Sequence, residues 1–264
     1  MHSLITKAFQ SKGFNLSDLQ FSGNIVIHTP TSKVYLTRIA SGQALPQMTG
    51  EAAGLRAMGL TSKNLAPELI GFEVEGGEGG MVSEYWELGG KGGADYQREL
   101  ARKIAQMHNA PSSGIAENSG GEGSTEEWHH TGKYGFGVPT HCGISQLDNT
   151  WEESWEVFYR DRRLGDVIKK IDDSDLNKEW EKMKNRYVAY RERRTEFRAI
   201  PLLLRDFSPA PKPVICHGDL WSGNAGVDKA SGNAVIWDPA AYWGHNESDL
   251  GVMHMFGGAS PLSL

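Results

Sequence analysis

Apolar and polar positions alternate along the first third of the chain. GNIVIHT (residues 23–29) and KVYLTRIA (33–40) flank Pro30, and PELIGFEVE (67–75) and GMVSEYW (80–86) surround the glycine-rich turn at 76–80. This period-two pattern with turn residues between the runs predicts four short strands. Between the two pairs, QMTGEAAGLRAMG (47–59) has helical spacing, with Gly59 as its expected stop. The first third therefore reads as a small sheet with one helix.

The period changes after ELGGKGG (87–93), a flexible junction. In ADYQRELARKIAQMHN (94–109), Leu100, Ile104, Met107 and His108 share one helical face. Residues 111–137, rich in Gly, Ser and Glu, read as a surface loop or mobile insertion. Thr150 and Glu153 form an expected capping box for WEESWEVFYRDRRL (151–164), where Trp151, Trp155 and Phe158 recur at helical spacing as core residues. A further helix over 174–195 aligns Leu176, Trp180, Met183, Tyr187 and Tyr190 as a packing face. Short strands return in PVICHG (213–218) and NAVIWD (233–238).

The 264 residues, 39% of them hydrophobic, are enough for one large domain or two lobes. A net charge of −6 gives no general attraction to nucleic acid or to an anionic membrane. No stretch approaches a spanning helix, and the first residues lack the apolar core of a secretory signal, so the expected setting is soluble and cytoplasmic. Cys142 and Cys216 are too few and too far apart for a disulfide framework or a zinc cluster.

ICHGDLWSGN (215–224) concentrates the chemistry. Asp219 and Asn224 have the interval of the catalytic-loop pattern H-R-D-x-x-x-x-N, in which a carboxylate reaches an attacking hydroxyl while an amide oxygen reaches a metal. Fourteen residues later the apolar run AVIW delivers Asp238, a second carboxylate for Mg2+. The bland reading makes all three ordinary turn and cap residues. His217 is expected to orient the loop, and Asp249 to accept hydrogen bonds from its backbone, unless Asp249 serves only as a helix N-terminal charge.

HGDLWSGN (217–224), DPAAYWGHNESDLGVMHMFGG (238–258) and residues 133–164, from KYGFG to DRRL, resemble the fructosamine kinases, or ketosamine-3-kinases; weaker similarity runs through GEAAGLRAMG (50–59). The resemblance implies an α+β, two-lobed protein-kinase-like fold. A small antiparallel-sheet lobe with one helix (1–88) would bind nucleotide, and a larger, mainly helical lobe (89–264) would hold the catalytic and acceptor sites. It implies ATP-dependent phosphorylation of the 3-hydroxyl of ribulosamines or fructosamines, free or protein-bound, in deglycation repair. Asp219 then matches the catalytic base, and Asn224 and Asp238 the Mg2+ ligands. Glu51 matches the helix glutamate that pairs with an ATP-binding lysine. Glu84, Tyr85 and Trp86 fall at the hinge that meets adenine, with Trp221, Tyr242 and His245 near the acceptor.

Two departures stand out. Where relatives end a strand in F-V-K, YLTRIA places Thr37 or Arg38, and an arginine fork is not equivalent to an ammonium. Only Ser22, Gly23 and Asn24 stand where a glycine-rich phosphate loop is expected. Relatives also continue into another helical segment after MFGG, so the chain reads as C-terminally short. Two alternatives stay open: a catalytically impaired or ketosamine-binding relative, and an aminoglycoside- or choline-type kinase whose cationic acceptor would suit the acidic residues at 121–127.

Overall fold

The computed structural model describes residues 2–89, 93–109, 131–193 and 212–255. The centre of the junction (90–92), most of the expected loop at 111–137, the acidic stretch at 121–127 and the side chains of Tyr187 and Tyr190 lie outside the described residues.

The four expected strands form: β2 (Ile25–His28), β3 (Lys33–Ser41), β4 (Leu69–Glu75) and β5 (Glu78–Glu84), preceded by α1 (Ser3–Ser11) and β1 (Leu19–Ser22), which add to the expected set. Together the strands make one antiparallel sheet in the order β1-β2-β3-β5-β4. Helix α1 buries Leu4, Ile5, Ala8 and Phe9 against this sheet. A Cβ on Gly71 would lie 2.8 Å from the Ala8 Cβ, and one on Gly80 2.6 Å from the Leu4 Cβ, so glycine is what admits the helix so closely. The ring of Phe9, fully buried, meets Tyr35 edge-on at 5.6 Å. Burial of a side chain of this size stabilises by about 1.5–3 kcal/mol.

Helix α2 (Ala44–Thr61) connects β3 to β4 and runs past Gly59, closing with Ser62 N–H on the Met58 carbonyl at 3.0 Å. The expected stop fails because a mid-helix glycine costs stability without blocking any hydrogen bond. Pro46 is tolerated because it lies in the first turn, whose N–H groups have no partner within the helix.

Strand β6 (Leu88–Gly89) leaves the first sheet and pairs with β10 (Ala225–Asp228), which also pairs with β11 (Ala234–Ile236). Helix α3 (Ala94–Asn109) buries the expected face of Leu100, Ile104, Met107 and His108. Lys103 on the same helix is also buried, donating to the Ala234 carbonyl at 2.9 Å, while Glu99 accepts from Ala234 N–H. One helix thus grips both sides of the first residue of β11. A short hairpin, β7 (Thr140–Cys142) and β8 (Ser145–Leu147), follows.

The next helical run, α4, comprises Trp155–Val157, a π-helical stretch Phe158–Gly165 and Asp166–Ile171. The capping box does not form. The helix starts after Ser154, and Thr150 hydrogen-bonds Asp148 instead, because Asp148 offers a nearer acceptor in the turn. Trp155 and Phe158 are core residues, and Trp151 packs on them from outside the helix. In α5 (Ser174–Arg193), Trp180 is buried, while Leu176 and Met183 are more than a third exposed, so the expected packing stripe is sealed only at Trp180 among the described side chains. The chain closes with β9 (Val214–Cys216), paired to β12 (Tyr242–Gly244), and α6 (Glu247–Met255). No helix among the described residues is long and apolar enough to cross a membrane.

Candidate active site

Strand β9 runs out into the loop that begins at His217. Gly218 turns it with φ of +81°, and a Cβ there would lie 2.1 Å from the Ala240 carbonyl oxygen. Only glycine fits, on both backbone and steric grounds. Two turn hydrogen bonds then fold the loop: Trp221 N–H to the Asp219 carbonyl at 3.1 Å and Asn224 N–H to the Trp221 carbonyl at 3.0 Å.

These turns bring Asp219 and Asn224 together. The Asn224 Nδ2 donates to the Asp219 carbonyl at 3.0 Å and to its Oδ2 at 3.1 Å. A backbone carbonyl only accepts, which fixes the amide orientation and leaves Oδ1 without a hydrogen bond among the described residues. The β10–β11 hairpin then returns the chain, and Trp237 N–H bonds the Asn224 carbonyl at 3.0 Å. That return explains the fourteen-residue interval. Asp238 follows in the left-handed region, φ +57°, a conformation uncommon for a residue with a side chain.

Asp238 lines a cavity of about 320 Å³ with Arg38, Glu51, Glu84, Tyr85 and Trp86. Strand alternation puts Thr37 and Arg38 on opposite faces. Thr37 turns away and donates to the Asn24 carbonyl at 3.0 Å, while Arg38 forms an ion pair with Glu51 of α2. Burial pushes the Glu51 carboxyl up, against the pull of Arg38. The Arg38 Nε is buried without a partner among the described residues. At the expected hinge, Tyr85 N–H is committed to the Val34 carbonyl and Glu84 N–H to the Glu68 carbonyl, whereas Trp86 N–H makes no hydrogen bond among the described residues. The β1–β2 connection is a tight turn of Gly23 and Asn24, with Ser22 paired to Ile25.

His217 is fully buried. Its Nδ1 accepts from Asp219 N–H at 3.3 Å, so the protonated Nε2 donates to the Trp237 carbonyl at 2.9 Å. Burial lowers its basicity, consistent with a neutral ring that clips the two halves of the site together. Asp249 is also fully buried and accepts from His217 N–H at 2.8 Å and Gly218 N–H at 2.9 Å. It therefore acts on the loop backbone, beyond a simple helix N-terminal charge.

Trp221 is 42% exposed beside Asp219. Tyr242 and His245 are buried. The Tyr242 hydroxyl donates to Ser248, its ring stacks on Phe158, and the His245 ring lies on Trp155. Arg163 caps the Tyr242 ring at 4.1 Å. Both residues expected near the acceptor are buried, Tyr242 on β12, which pairs with β9, and His245 just beyond that strand.

Two neighbours of the site were not singled out from the sequence. Cys142 lies near enough to Asp219 to feel its charge, and burial followed by that charge pushes the thiol up to about 11. His108 Nε2 lies 3.1 Å from the Asp249 Oδ2. A histidine on the apolar stripe of α3 was a visible signal for the second. Nothing in the sequence marked the first.

The fold is that of the protein-kinase-like class: an antiparallel sheet with one helix carrying the Arg38–Glu51 pair, followed by a loop that brings Asp219 and Asn224 together. Among solved structures, the chain is similar to fructosamine-3-kinase candidates of Thermobifida fusca (TM-score 0.61, 18% identity, 96% of this chain and 78% of that one) and Haemophilus somnus (TM-score 0.53, 22% identity, 88% and 68%). At these identities the likeness shows the fold. A model of the fructosamine kinase family matches residues 20–262, and the chain belongs to that family. It is 33% identical to a chloroplastic protein-ribulosamine 3-kinase of Arabidopsis thaliana over 77% of this chain, and 28% identical to a ketosamine-3-kinase of Mus musculus over 88%. The chain spans 53% of the first relative's length and 72% of the second's.

Proposed function

We propose that the chain is an ATP- and Mg2+-dependent kinase that phosphorylates the 3-hydroxyl of a ketosamine, a ribulosamine or fructosamine, free or carried on a glycated protein. The observation that carries the reading is the Asp219–Asn224 contact, joined through the Asn224 carbonyl to Trp237, whose neighbour Asp238 lines the cavity that also holds the Arg38–Glu51 pair. Membership of the family supplies the acceptor class and disfavours aminoglycosides and choline.

The donor set suits magnesium. Asn224 Oδ1 and the Asp238 carboxylate are hard oxygen donors, and the amide oxygen has no competing hydrogen bond among the described residues. Bound Mg-ATP would supply the phosphoryl group and neutralise its developing charge. Asp219 takes the proton of the acceptor hydroxyl, and its carboxylate is kept in place by the Asn224 amide. Arg38, oriented by Glu51, directs a guanidinium toward the nucleotide phosphates. The Glu84 carbonyl and Trp86 N–H receive the adenine edge, with Tyr85 between them. Trp221 is the acceptor contact, and Tyr242 and His245 support it from below. In this reading residues 1–88 form the nucleotide lobe and 89–264 the catalytic and acceptor lobe. The two free cysteines suit a reducing, cytosolic setting.

The test is phosphate transfer from Mg-ATP to ribulosamine, fructosamine, an aminoglycoside and choline, with Asp219→Ala as the control. Transfer to the ketosamines alone, lost in the variant, is expected. A folded protein that transfers phosphate to none of them sinks the reading. A second reading, a ketosamine-binding relative with impaired nucleotide binding, is favoured by the tight Gly23–Asn24 turn and by arginine at position 38. It predicts no thermal shift with millimolar Mg-ATP.

A further inference from the structure

We propose that Thr140, at the start of β7, is a positioning residue for Asp238: its buried hydroxyl fixes the chain just beyond that aspartate. The inference rests on the kinase reading above, in which Asp238 is a Mg2+ ligand, and it adds the β7–β8 hairpin to the machinery of that site.

Asp238 has a backbone that needs holding. Its φ is +57°, and Pro239 follows it, so a left-handed residue stands where a following proline favours extended backbone. Such a conformation persists only where its surroundings fix it. Upstream, Trp237 N–H bonds the Asn224 carbonyl at 3.0 Å, and the Trp237 carbonyl accepts from His217 Nε2 at 2.9 Å. Downstream, the Thr140 Oγ1 donates to the Ala240 carbonyl at 3.3 Å, with both residues fully buried. Among the described residues, Thr140 is the donor to that oxygen. It is the same oxygen that a Cβ on Gly218 would meet at 2.1 Å. The carbonyl is therefore pinned between the hairpin and the catalytic loop.

The direction of the Thr140 bond follows from its neighbours. Asn149 Nδ2 donates to the Val138 carbonyl at 2.9 Å, which fixes the amide, and its Oδ1 accepts from Arg163 at 2.8 Å. The same Nδ2 also donates to Thr140 Oγ1 at 2.9 Å. A hydroxyl that accepts there has its one proton left for Ala240. The chain Arg163, Asn149, Thr140 thus runs from α4 to the segment that carries Asp238, with each link hydrogen-bonded.

Helix α2 closes on the same junction. A Cβ on Gly50 would lie 2.6 Å from the Pro139 carbonyl oxygen, and one on Gly54, a turn further on, 3.0 Å from the Ala241 Cβ. Glu51 lies between these glycines, so the helix that carries the partner of Arg38 rests on both the hairpin and the segment after Asp238. The Thr140 methyl carbon would be 3.4 Å from the Gly50 Cβ, which gives this residue a packing side as well as a hydroxyl.

Two substitutions separate these sides. Thr140→Val keeps the shape and removes the hydroxyl, and Thr140→Ser keeps the hydroxyl and removes the methyl. Both are compared with wild type by calorimetric titration of ADP with and without Mg2+, and by amide hydrogen exchange over residues 237–243 of the nucleotide-free full chain. Thr140→Val is expected to bind metal-free ADP within about twofold of wild type and Mg-ADP about fivefold or more weakly, because only the metal-dependent part of the affinity passes through Asp238. Exchange over the segment rises in the same variant. Thr140→Ser stays within about twofold of wild type in both measurements. Wild-type Mg-ADP affinity and exchange in Thr140→Val overturn the proposal. So does an equal loss with and without Mg2+, the mark of general loosening, or a serine variant impaired as deeply as the valine one. If Thr140→Val does not fold, the serine variant decides alone: wild-type Mg-ADP affinity supports the hydroxyl, and a fivefold loss assigns the role to the methyl and overturns the proposal. If wild type itself binds no Mg-ADP, the kinase reading fails, and exchange in the two variants decides whether Thr140 fixes the segment.

Discussion

The Asn224 amide nitrogen touches Asp219 twice, at the carbonyl (3.0 Å) and at Oδ2 (3.1 Å). In the proposed reaction one side chain would thus offer an oxygen to the metal and, from its other end, hold the base. Asn224→Asp keeps an oxygen ligand and adds charge, which by metal affinity alone is no loss. It also replaces a donor with a second carboxylate against Asp219. The expected result is a fall in kcat of about tenfold or more, from like-charge repulsion and the lost donor. Asp219→Asn, which removes the base, is expected to cost about 10² to 10⁴-fold. Steady-state kinetics at saturating ATP check both.

Arg38 and Glu51 form the charged pair expected of a lysine and a helix glutamate. If the fork has taken over the phosphate contact, Arg38→Lys remains within about threefold of wild type in kcat/KM for ATP, and Arg38→Met falls about tenfold or more. A methionine variant equal to wild type would show that this pair does not hold the nucleotide. Glu51, already pushed up by burial, loses its opposing charge in that variant, so a lower Tm is expected as well.

Gly218 is required by geometry before chemistry. Its φ is +81°, and an added Cβ would meet the Ala240 carbonyl oxygen at 2.1 Å, a backbone atom that cannot swing aside. Gly218→Ala is expected to destabilise by at least about 2 kcal/mol, combining left-handed strain and displacement of β12. Urea unfolding measures this. An equally stable alanine variant would mean the loop relaxes more readily than its packing indicates.

The alternating strands and the α3 stripe were legible because each had its period and a turn on either side. The Asp219–Asn224 contact and the return of the chain to Asp238 were legible because a loop and a hairpin return impose fixed intervals. Tyr242 and His245 were not, since a residue two or three places beyond a motif faces inward or outward according to strand pairing, which only the β9–β12 register reveals. The Thr37 or Arg38 ambiguity had the same origin: without the sheet, neighbouring residues cannot be assigned to faces. Helix α1 escaped notice because the glycines that admit it, Gly71 and Gly80, lie some sixty or more residues away in sequence. Cys142 reaches Asp219 only through tertiary contact.

That contact gives a chemical probe. Burial, then the Asp219 charge, with a smaller push from Asp238, raise the Cys142 thiol from 9.0 to about 11, so its thiolate at pH 8 is about a hundredfold scarcer than in a free peptide. Iodoacetamide labelling at pH 8, followed by mass spectrometry, is expected to be correspondingly slow despite surface exposure. Asp219→Asn removes the largest of the charge effects and is expected to speed labelling severalfold. Fast labelling in wild type, or no change in the variant, would separate the β7–β8 hairpin from the catalytic loop.

Asp249 ties pH to the stability of that loop. Its folded carboxyl lies below the ordinary value of 3.8: burial raises it, but the bond and charge of His108, with His217 and Gly218 N–H, outweigh burial. A carboxyl lowered on folding contributes stability that is fully present above its unfolded value and is lost as pH falls through the folded one. Between pH 5 and 7 the contribution is therefore constant. Asn at this position places an N–H₂ against one of three donors, at a cost of about 2 to 4 kcal/mol. The stability gap between wild type and Asp249→Asn, from urea unfolding, should be flat over pH 5 to 7 and shrink below about pH 3.8 as the wild-type carboxyl takes up its proton. A gap that instead widened on acidification would mean that Asp249 is protonated in the fold, and that the brace to His217 and Gly218 carries no charge.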